Sequence, residues 1–385
     1  MKVPLLDLVR QHEPIKTKLL AAIEEVMNSG RFILGPKVKE LEQRIAEYVK
    51  SPHAVACASG TDALHLALRA LEIGPGDAVI TTPYTFFASA ETISLTGARP
   101  LFVDIEADTY NMNVARLEEL CAGQCTGNGQ QLIHNPTKLP VKAIMPIHLF
   151  GQCADMKGIM GVAERYRLAV IEDAAQSIGA QQQIDGEWRM SGSIGTIGCY
   201  SFFPSKNLSA LGDGGMAVTA RPELSDRLMM LRGHGAKPKY YHHFIGLNSR
   251  LDELQAALLL VKLERLEELN QKRLGNFRFY NERLQGIVGV PKIRDCNRTV
   301  LNQYVIRHKR RDELMSFLKE KGVGTEIYYP LALHLQECYR DLGYKQGDFP
   351  ESEQASKETL AIPIDPLLTD EERTYVADCI RQFGR

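Results

Sequence analysis

SFFPSKNLSALGDGG, residues 201–215, is the stretch on which the fold turns. An apolar, strand-like run (Cys199, Tyr200, Phe202, Phe203) stops at Pro204-Ser205. A single lysine, Lys206, follows in a loop of small residues and glycine. A lysine on a solvated face usually sits among other charges. Here the preceding residues are apolar, which predicts a side chain emerging from the interior at the mouth of a crevice. Partial burial disfavours the ammonium form and lowers a lysine's pKa. The neutral amine is a nucleophile and can form a Schiff base with a carbonyl compound. Taken locally, a second reading stays open: a lysine that only caps a strand end.

Outward from this stretch the chain alternates. AVACAS (54–59), AVITTP (78–83), PLFVD (100–104), AIMPIH (143–148), LAVIED (168–173), GCYSFF (198–203) and GMAVTA (215–220) are short apolar runs. Helical patterns such as TDALHLALRALEI, FASAETISLTGA and DMKGIMGVAERYR lie between several of them. This predicts an α/β fold, a mostly parallel sheet covered by helices on both faces. Helices are expected before it at 16–29 and 37–50. In the second, Val38, Leu41, Ile45 and Tyr48 keep a 3–4 spacing. After Arg232 the character changes. RLDELQAALLLVKLERLEELNQKR (250–273) reads as one long amphipathic helix, with Ser249 and Asp252 resembling a capping box. A strand at 299–308 follows, then helices at 311–322 and 369–383, the last with a Thr369/Glu372 capping box. The expected division is a large domain, 1–249, and a linking helix with a smaller C-terminal α/β domain, 250–385. GQCTGNGQQLIHNPTK (123–138) reads as a polar loop.

Composition narrows the function. The chain has 385 residues, 44% hydrophobic and 24% charged, which suits two globular domains with substantial cores. A net charge of −1 without long single-sign runs argues against a nucleic-acid footprint. No apolar run reaches the roughly 20 residues of a membrane span. The start, MKVPLLDLVRQHEP, lacks the pattern of a secretory signal. The eight cysteines are scattered. Only Cys121 and Cys125 are close, and no second pair or histidine cluster completes a zinc site, so neither metal nor disulfide is expected. A cytoplasmic enzyme without nucleic-acid or membrane partners is the expectation.

Four weak signals stand in a telling order. Ser59-Gly60-Thr61-Asp62 joins a strand to a helix, where free amides and the positive helix end bind anions; an ordinary N-cap is the other reading. Phe86-Phe87 follows the second strand. One of the pair, taken as Phe86, can stack on a flat ring, the other packing in the core. Asp173 ends a parallel strand, where open sheets bind ligands. Its burial calls for a cationic partner such as a ring nitrogen, and Gln176 lies one helical step on. Ser201 and Lys206 complete the set. A phosphate turn, a stacking aromatic, an acid for a ring nitrogen and a lysine together describe a site for pyridoxal 5′-phosphate.

Nearly the whole chain resembles the DegT/DnrJ/EryC1/StrS sugar aminotransferases, which have the fold-type-I aminotransferase architecture. The resemblance rests on FILGPKVKELE (32–42), ASGTDALHLAL (58–68), HLFGQCADM (148–156), VIEDAAQSIGA (170–180), SFFPSKNLSALGDGG (201–215), NSRLDELQAA (248–257) and YYPLALHLQ (328–336). It implies that Lys206 is the Schiff-base lysine, Asp173 the pyridine-nitrogen partner and Gln176 the neighbour of the ring oxygen. Gly60, Thr61 and Ser201 would hold phosphate, and Phe86 would stack. Asn248 matches an asparagine that reaches the neighbouring subunit's cofactor, and Arg250 lies where a neighbouring arginine meets substrate. A homodimer with shared active sites follows. Tyr329, His334 and Gln336 fall in a segment that lines the sugar end in relatives. The chain departs from the family at Ser209, often glycine there, and in having Phe86 where Trp or Tyr is common. Lys206 itself argues against a dehydratase branch that carries histidine at this position. The segment GHGAKPKYYHHFIGLNSRLDELQAA (233–257) is similar to members that aminate carbon 3 of a nucleotide-linked ketosugar. Lys237, Lys239, Tyr240, Tyr241, His242 and His243 either contact the sugar nucleotide across the dimer or form a solvated loop. The implied reaction is amino transfer from an amino acid, glutamate, to the ketosugar. A carbon-4 aminotransferase, a lyase or dehydratase, and a sensory protein without turnover are the alternatives.

Overall fold

The computed structural model describes residues 1–127 and 131–384. Its centre is a mixed sheet. Along the main path the strands follow the order His53–Cys57, Gly215–Thr219, Ile197–Ser201, Ala169–Asp173, Leu139–Ile144, Ala78–Thr81 and Arg99–Phe102. The last five are parallel to one another, whereas Gly215–Thr219 is antiparallel to both its neighbours. The reason lies in the connection. Parallel strands need a long crossover, usually a helix, and residues 202–214 contain none. The chain turns back after Ser201, so the loop carrying Lys206 stays at the carboxyl ends of the parallel strands. The backbone closes this loop on itself through Phe202 N to Gly214 O (2.7 Å) and Ala210 N to Phe202 O (2.7 Å).

Alternate residues of each strand feed opposite cores. Val79 packs with Val55, Leu66 and Leu228, while Ala78 and Ile80 pack with Leu117, Ile159 and Val162. Likewise Ala217 joins the first core, and Met216 and Val218 join Val38, Leu41 and Leu259. Helices therefore cover both faces, which accounts for strands that are apolar along their whole length. Among the described residues no helix is long and apolar enough to cross a membrane.

Three local expectations change. The helix expected over 250–273 is two helices, Glu253–Leu263 and Leu266–Leu284, bent at Arg265. The bend lets Leu259 and Leu263 stay in the core with Val38 while Tyr280 and Leu284 enter a C-terminal core with Leu314, Leu360 and Val376. Val3 also packs in that C-terminal core. The Ser249/Asp252 capping box does not form. Ser249 Oγ donates to Asp62 Oδ2 at 2.6 Å, and Asp252 makes no side-chain cap bond. Glu253 instead accepts from Lys37 N and Val38 N (2.5 and 3.2 Å), serving the start of helix Pro36–Val49. The loop expected at 123–138 contains paired strands, Cys125–Gly127 and Leu132–His134, the second joined to Leu139–Ile144. Residues 128–130 of that loop lie outside the described residues. The Thr369/Glu372 capping box is present.

Candidate active site

One cavity of about 440 Å³ opens at the carboxyl ends of the parallel strands. At one end, Ser59 turns a strand into helix Gly60–Ala70, and its Oγ accepts from Asp62 N at 3.0 Å. The amides of Gly60 and Thr61, in the first turn, have no partner within the helix, the arrangement by which helix starts bind anions. A Cβ on Gly60 would lie 2.5 Å from Ser201 Cβ. Only glycine lets the helix start meet Ser201 this closely. A Cβ on Gly215 would lie 2.1 Å from Ser59 O, so the neighbouring strand also presses against this turn.

Asp173 lies at the other end, at the end of strand Ala169–Asp173 and almost fully buried. Ser89 Oγ donates to its Oδ2 at 2.7 Å, and Ala175 N donates to its Oδ1 at 3.2 Å. Ser89 has one hydroxyl proton and spends it on Asp173, so Thr85 Oγ1, 3.0 Å away, donates to Ser89. Burial pushes the Asp173 carboxyl above its usual value. The bonds from Ser89 and Ala175 and the charge of Lys206 oppose that rise.

Lys206 shares the cavity with Asp173. Lost hydration pushes its pKa down from 10.5 to about 8, against the attraction of Asp173. The residue is only half-buried, so the ammonium is not wholly cut off from solvent screening. Its neighbour Asn207 is buried and anchors the loop to Asn270 and to Val300 O, at 2.7 and 3.0 Å. Ser209 is buried too. Its Oγ accepts from Lys262 Nζ at 2.7 Å, so the serine that departs from glycine here has a definite partner.

Gln176 is held by Phe150 N, which donates to Gln176 Oε1 at 2.7 Å. Its amide nitrogen is thereby presented as a donor, with Tyr329 Oη at 3.5 Å. Phe86 lines the cavity and is 57% exposed, whereas Phe87 packs on Tyr339, with centroids 5.7 Å apart. Tyr329 lines the cavity beside Phe86, with centroids 6.3 Å apart. Burial raises the Tyr329 hydroxyl's pKa.

Gly60, Thr61, Phe86, Asp173, Gln176, Ser201, Lys206 and Tyr329 thus meet around one space. The other expected residues do not. His334 is buried elsewhere, its Nε2 3.1 Å from Glu353 Oε1 and its ring 4.8 Å from Phe349. Gln336 caps the short helix Leu333–Leu335, outside the cavity. The segment is pinned by Leu333 N to Pro83 O (2.7 Å), which turns His334 into a core. Tyr240, Tyr241 and His242 are exposed, and His242 Nδ1 lies 2.8 Å from His234 O. Asn248 is exposed, and Arg250 has a buried Nε without a partner among the described residues. Thr85, Ser89, Asp213, Gln303 and Tyr328 were not foreseen. Thr85 and Ser89 flank Phe86-Phe87 on helix-like spacing, which was the only available sign of the pair behind Asp173.

A buried acid, a half-buried amine of lowered pKa and a helix start around one cavity define a lysine-dependent α/β enzyme. The chain belongs to the DegT/DnrJ/EryC1/StrS aminotransferase family, whose model matches residues 13–381. It is 46% identical to a pleiotropic regulatory protein of Geobacillus stearothermophilus, over 100% of this chain and 99% of that one. It is 40% identical to the UDP-N-acetyl-3-dehydro-alpha-D-glucosamine 3-aminotransferase of Acidithiobacillus ferrooxidans, over 99% and 97%. The crystal structure of S. venezuelae DesV in complex with a ketimine intermediate superposes with a TM-score of 0.92 at 37% identity, covering 100% of this chain and 99% of that one.

Proposed function

We infer that this chain is a pyridoxal 5′-phosphate-dependent aminotransferase that moves an amino group from L-glutamate to carbon 3 of a nucleotide-linked ketosugar. The observation that carries the reading is the amine of Lys206 and the carboxylate of Asp173 in one cavity whose far end is the Gly60 turn. The residues fit the cofactor. The Gly60 and Thr61 amides and Ser201 would take its phosphate, with space at Gly60 for no side chain. Asp173 lacks an opposing full charge close enough to offset its burial, and a cationic ring nitrogen would supply one. The fixed amide of Gln176 would donate to the ring oxygen, and Phe86 would cover a ring face. Bound there, the cofactor supplies a carbonyl carbon for the amine and a ring that accepts the electron pair of a broken C–H bond.

The chain's own residues do the rest. Lys206 Nζ, with its pKa near 8, is the base that takes the proton from the donor's α-carbon and later returns one to the sugar carbon. Asp173, oriented by Ser89 and Ala175, holds the negative charge that keeps a ring nitrogen protonated. Glutamate leaves as a 2-oxo acid. Borohydride reduction of the loaded protein, then peptide mass spectrometry, should place the cofactor on residue 206. Labelling on another lysine ends the proposal. Mass spectrometry of products from uridine- and thymidine-linked 3- and 4-ketosugars identifies the acceptor.

The shared-site homodimer is part of the proposal. Exposed Phe32, Ile33, Tyr240 and Tyr241, with the Arg250 Nε that has no partner among the described residues, support it. Asn248, Arg250, Tyr240, Tyr241 and His242 would then serve the partner's cavity. Mixing inactive Lys206→Ala and Asn248→Ala chains should regenerate activity through hybrid dimers, and a mixture that stays inactive removes this part. The division at 249/250 and a cytoplasmic location are also proposals. Limited proteolysis and fractionation of the source cells check them. The regulatory name of the Geobacillus relative favours a second reading, binding without turnover. Release of 2-oxoglutarate from glutamate in the presence of ketosugar decides between the two.

A further inference from the structure

Both neighbours of Lys206 are held by one side chain from far along the chain. Asn302 Nδ2 donates to Ser205 O at 3.3 Å, across 97 positions, and to Asn207 Oδ1 at 3.0 Å. Asn207 Nδ2 in turn donates to Val300 O at 3.0 Å and to Asn270 Oδ1 at 2.7 Å. Ser205 O and Val300 O are carbonyls and can only accept, so both donating carboxamides have one possible orientation. Both hydrogens of each NH2 group are thereby engaged. Asn207, Asn270 and Asn302 are buried. A buried, paired amide net resists opening, because a group left alone there keeps its desolvation cost without its bond.

The segment that carries Asn302 also touches the stretch that fixes Gln176. Thr299 Oγ1 and Val300 N donate to Gly151 O at 2.8 and 3.0 Å, and Gln303 N donates to Phe150 O at 3.4 Å. Phe150 N is the donor that holds Gln176. A Cβ on Gly151 would lie 2.7 Å from Asn302 N, so the two stretches cross in contact. Leu301 roots the segment in the C-terminal core with Tyr304, Leu314 and Leu360. The side chain of Lys206 is long and rotatable, and its amine is placed no better than the backbone that carries it. Misplacing a reacting group by about 1 Å can cost roughly a hundredfold in rate. We propose that Asn302 is a positioning residue for the Lys206 amine: by gripping the residue on either side of the lysine, it holds the amine in the cavity with Asp173. The kinetic consequence rests on the aminotransferase reading, whereas the placement of the amine does not.

The test uses the full chain freed of cofactor. Reductive methylation at a series of pH values, read by peptide mass spectrometry, gives the titration midpoint of the Lys206 amine, expected at about pH 8 in the wild type. The titratable groups that share its cavity, Asp173, Asp213, Tyr328 and Tyr329, are untouched by the substitutions. Asn302→Ala frees the loop and lets water reach the amine, so the midpoint should rise by about one pH unit, a roughly tenfold smaller neutral fraction. Asn270→Ala removes one bond of the net and leaves Val300 O to Asn207. It should raise the midpoint by less, and it carries the test alone if Asn302→Ala does not fold. Val376→Ala takes volume from the C-terminal core without touching the amides, so it should lower the melting temperature and leave the midpoint in place. In the loaded enzyme, Asn302→Ala should lower kcat by about tenfold or more with KM unchanged, because Asn302 does not line the cavity. A midpoint unmoved in the folded variant, a midpoint moved as far by Val376→Ala, or a raised KM with unchanged kcat overturns the proposal. Midpoints as expected in a protein that shows no amino transfer would support the placement and count against the aminotransferase reading instead.

Discussion

Replacing Gly60 by alanine tests the proposed phosphate end of the cavity by volume alone. Gly60 does not have a positive φ, so alanine meets no backbone penalty there. The cost is space: the new Cβ would lie 2.5 Å from Ser201 Cβ and 3.0 Å from its Oγ. The obstacle is a β-carbon close to the backbone, which cannot swing aside as a long side chain would. Inserting one carbon into such a contact costs about 1–3 kcal/mol, equivalent to roughly fivefold to 150-fold in binding if the strain falls on the cofactor-binding form. Titrating the cofactor-free protein with pyridoxal phosphate, followed by absorbance, gives the dissociation constant, and a melting curve gives the share that falls on folding. Gly60→Ala/Ser201→Gly removes the clash together with the Ser201 hydroxyl. It should recover the melting temperature while remaining short of wild-type affinity. An unchanged affinity and melting point in Gly60→Ala would refute the close approach. A double variant no better than the single one would show that Ser201 is not what the new carbon meets.

Three other outcomes are expected. Ser89→Ala removes a bond that favours the charged form of Asp173, so that carboxyl rises further and the acid limb of the kcat/KM profile moves to higher pH; Thr85→Val moves it less, and an unmoved limb in both refutes the chain of hydroxyls. His334→Ala should lower the melting temperature through the lost Glu353 contact yet leave the sugar's KM unchanged, and a raised KM with unchanged stability would return His334 to the substrate. Burial lowers Lys262 from 10.5 to about 8, so the unfolded chain binds more protons in that interval and stability from this group rises with pH between the two values. Buried cysteines and tyrosines with raised pKa pull the opposite way, so the wild-type minus Lys262→Met difference in unfolding free energy is followed, and a flat difference refutes the shift.

Much of the site was legible because each residue sits at a strand end with a local signature. Ser59-Gly60-Thr61, Asp173 with Gln176, and the Ser201–Lys206 pair are all short-range patterns, and strand ends of one sheet converge by construction. Phe86 against Phe87 was decided by Tyr339, 252 positions further along, which takes Phe87 into a core. His334 illustrates the converse. Its segment matched a substrate-lining motif, but Glu353 and Phe349 offered a better place for a neutral imidazole than the cavity did. Ser89 had only its four-residue spacing from Thr85, since a serine in a helix says nothing about which carboxylate it faces.

From the order of residues alone came the alternating α/β plan, the lysine raised from an apolar run, and the acid and strand-to-helix turn that share its cavity. These follow from periodicity and from residue types with few uses. Only the folded chain decided that Gly215–Thr219 runs against its neighbours, that the helix after Asp252 bends at Arg265, and that Thr85 and Ser89 stand behind Asp173. Those outcomes depend on contacts between residues far apart in the chain, where packing volume and unmet hydrogen bonds choose among local conformations of nearly equal free energy.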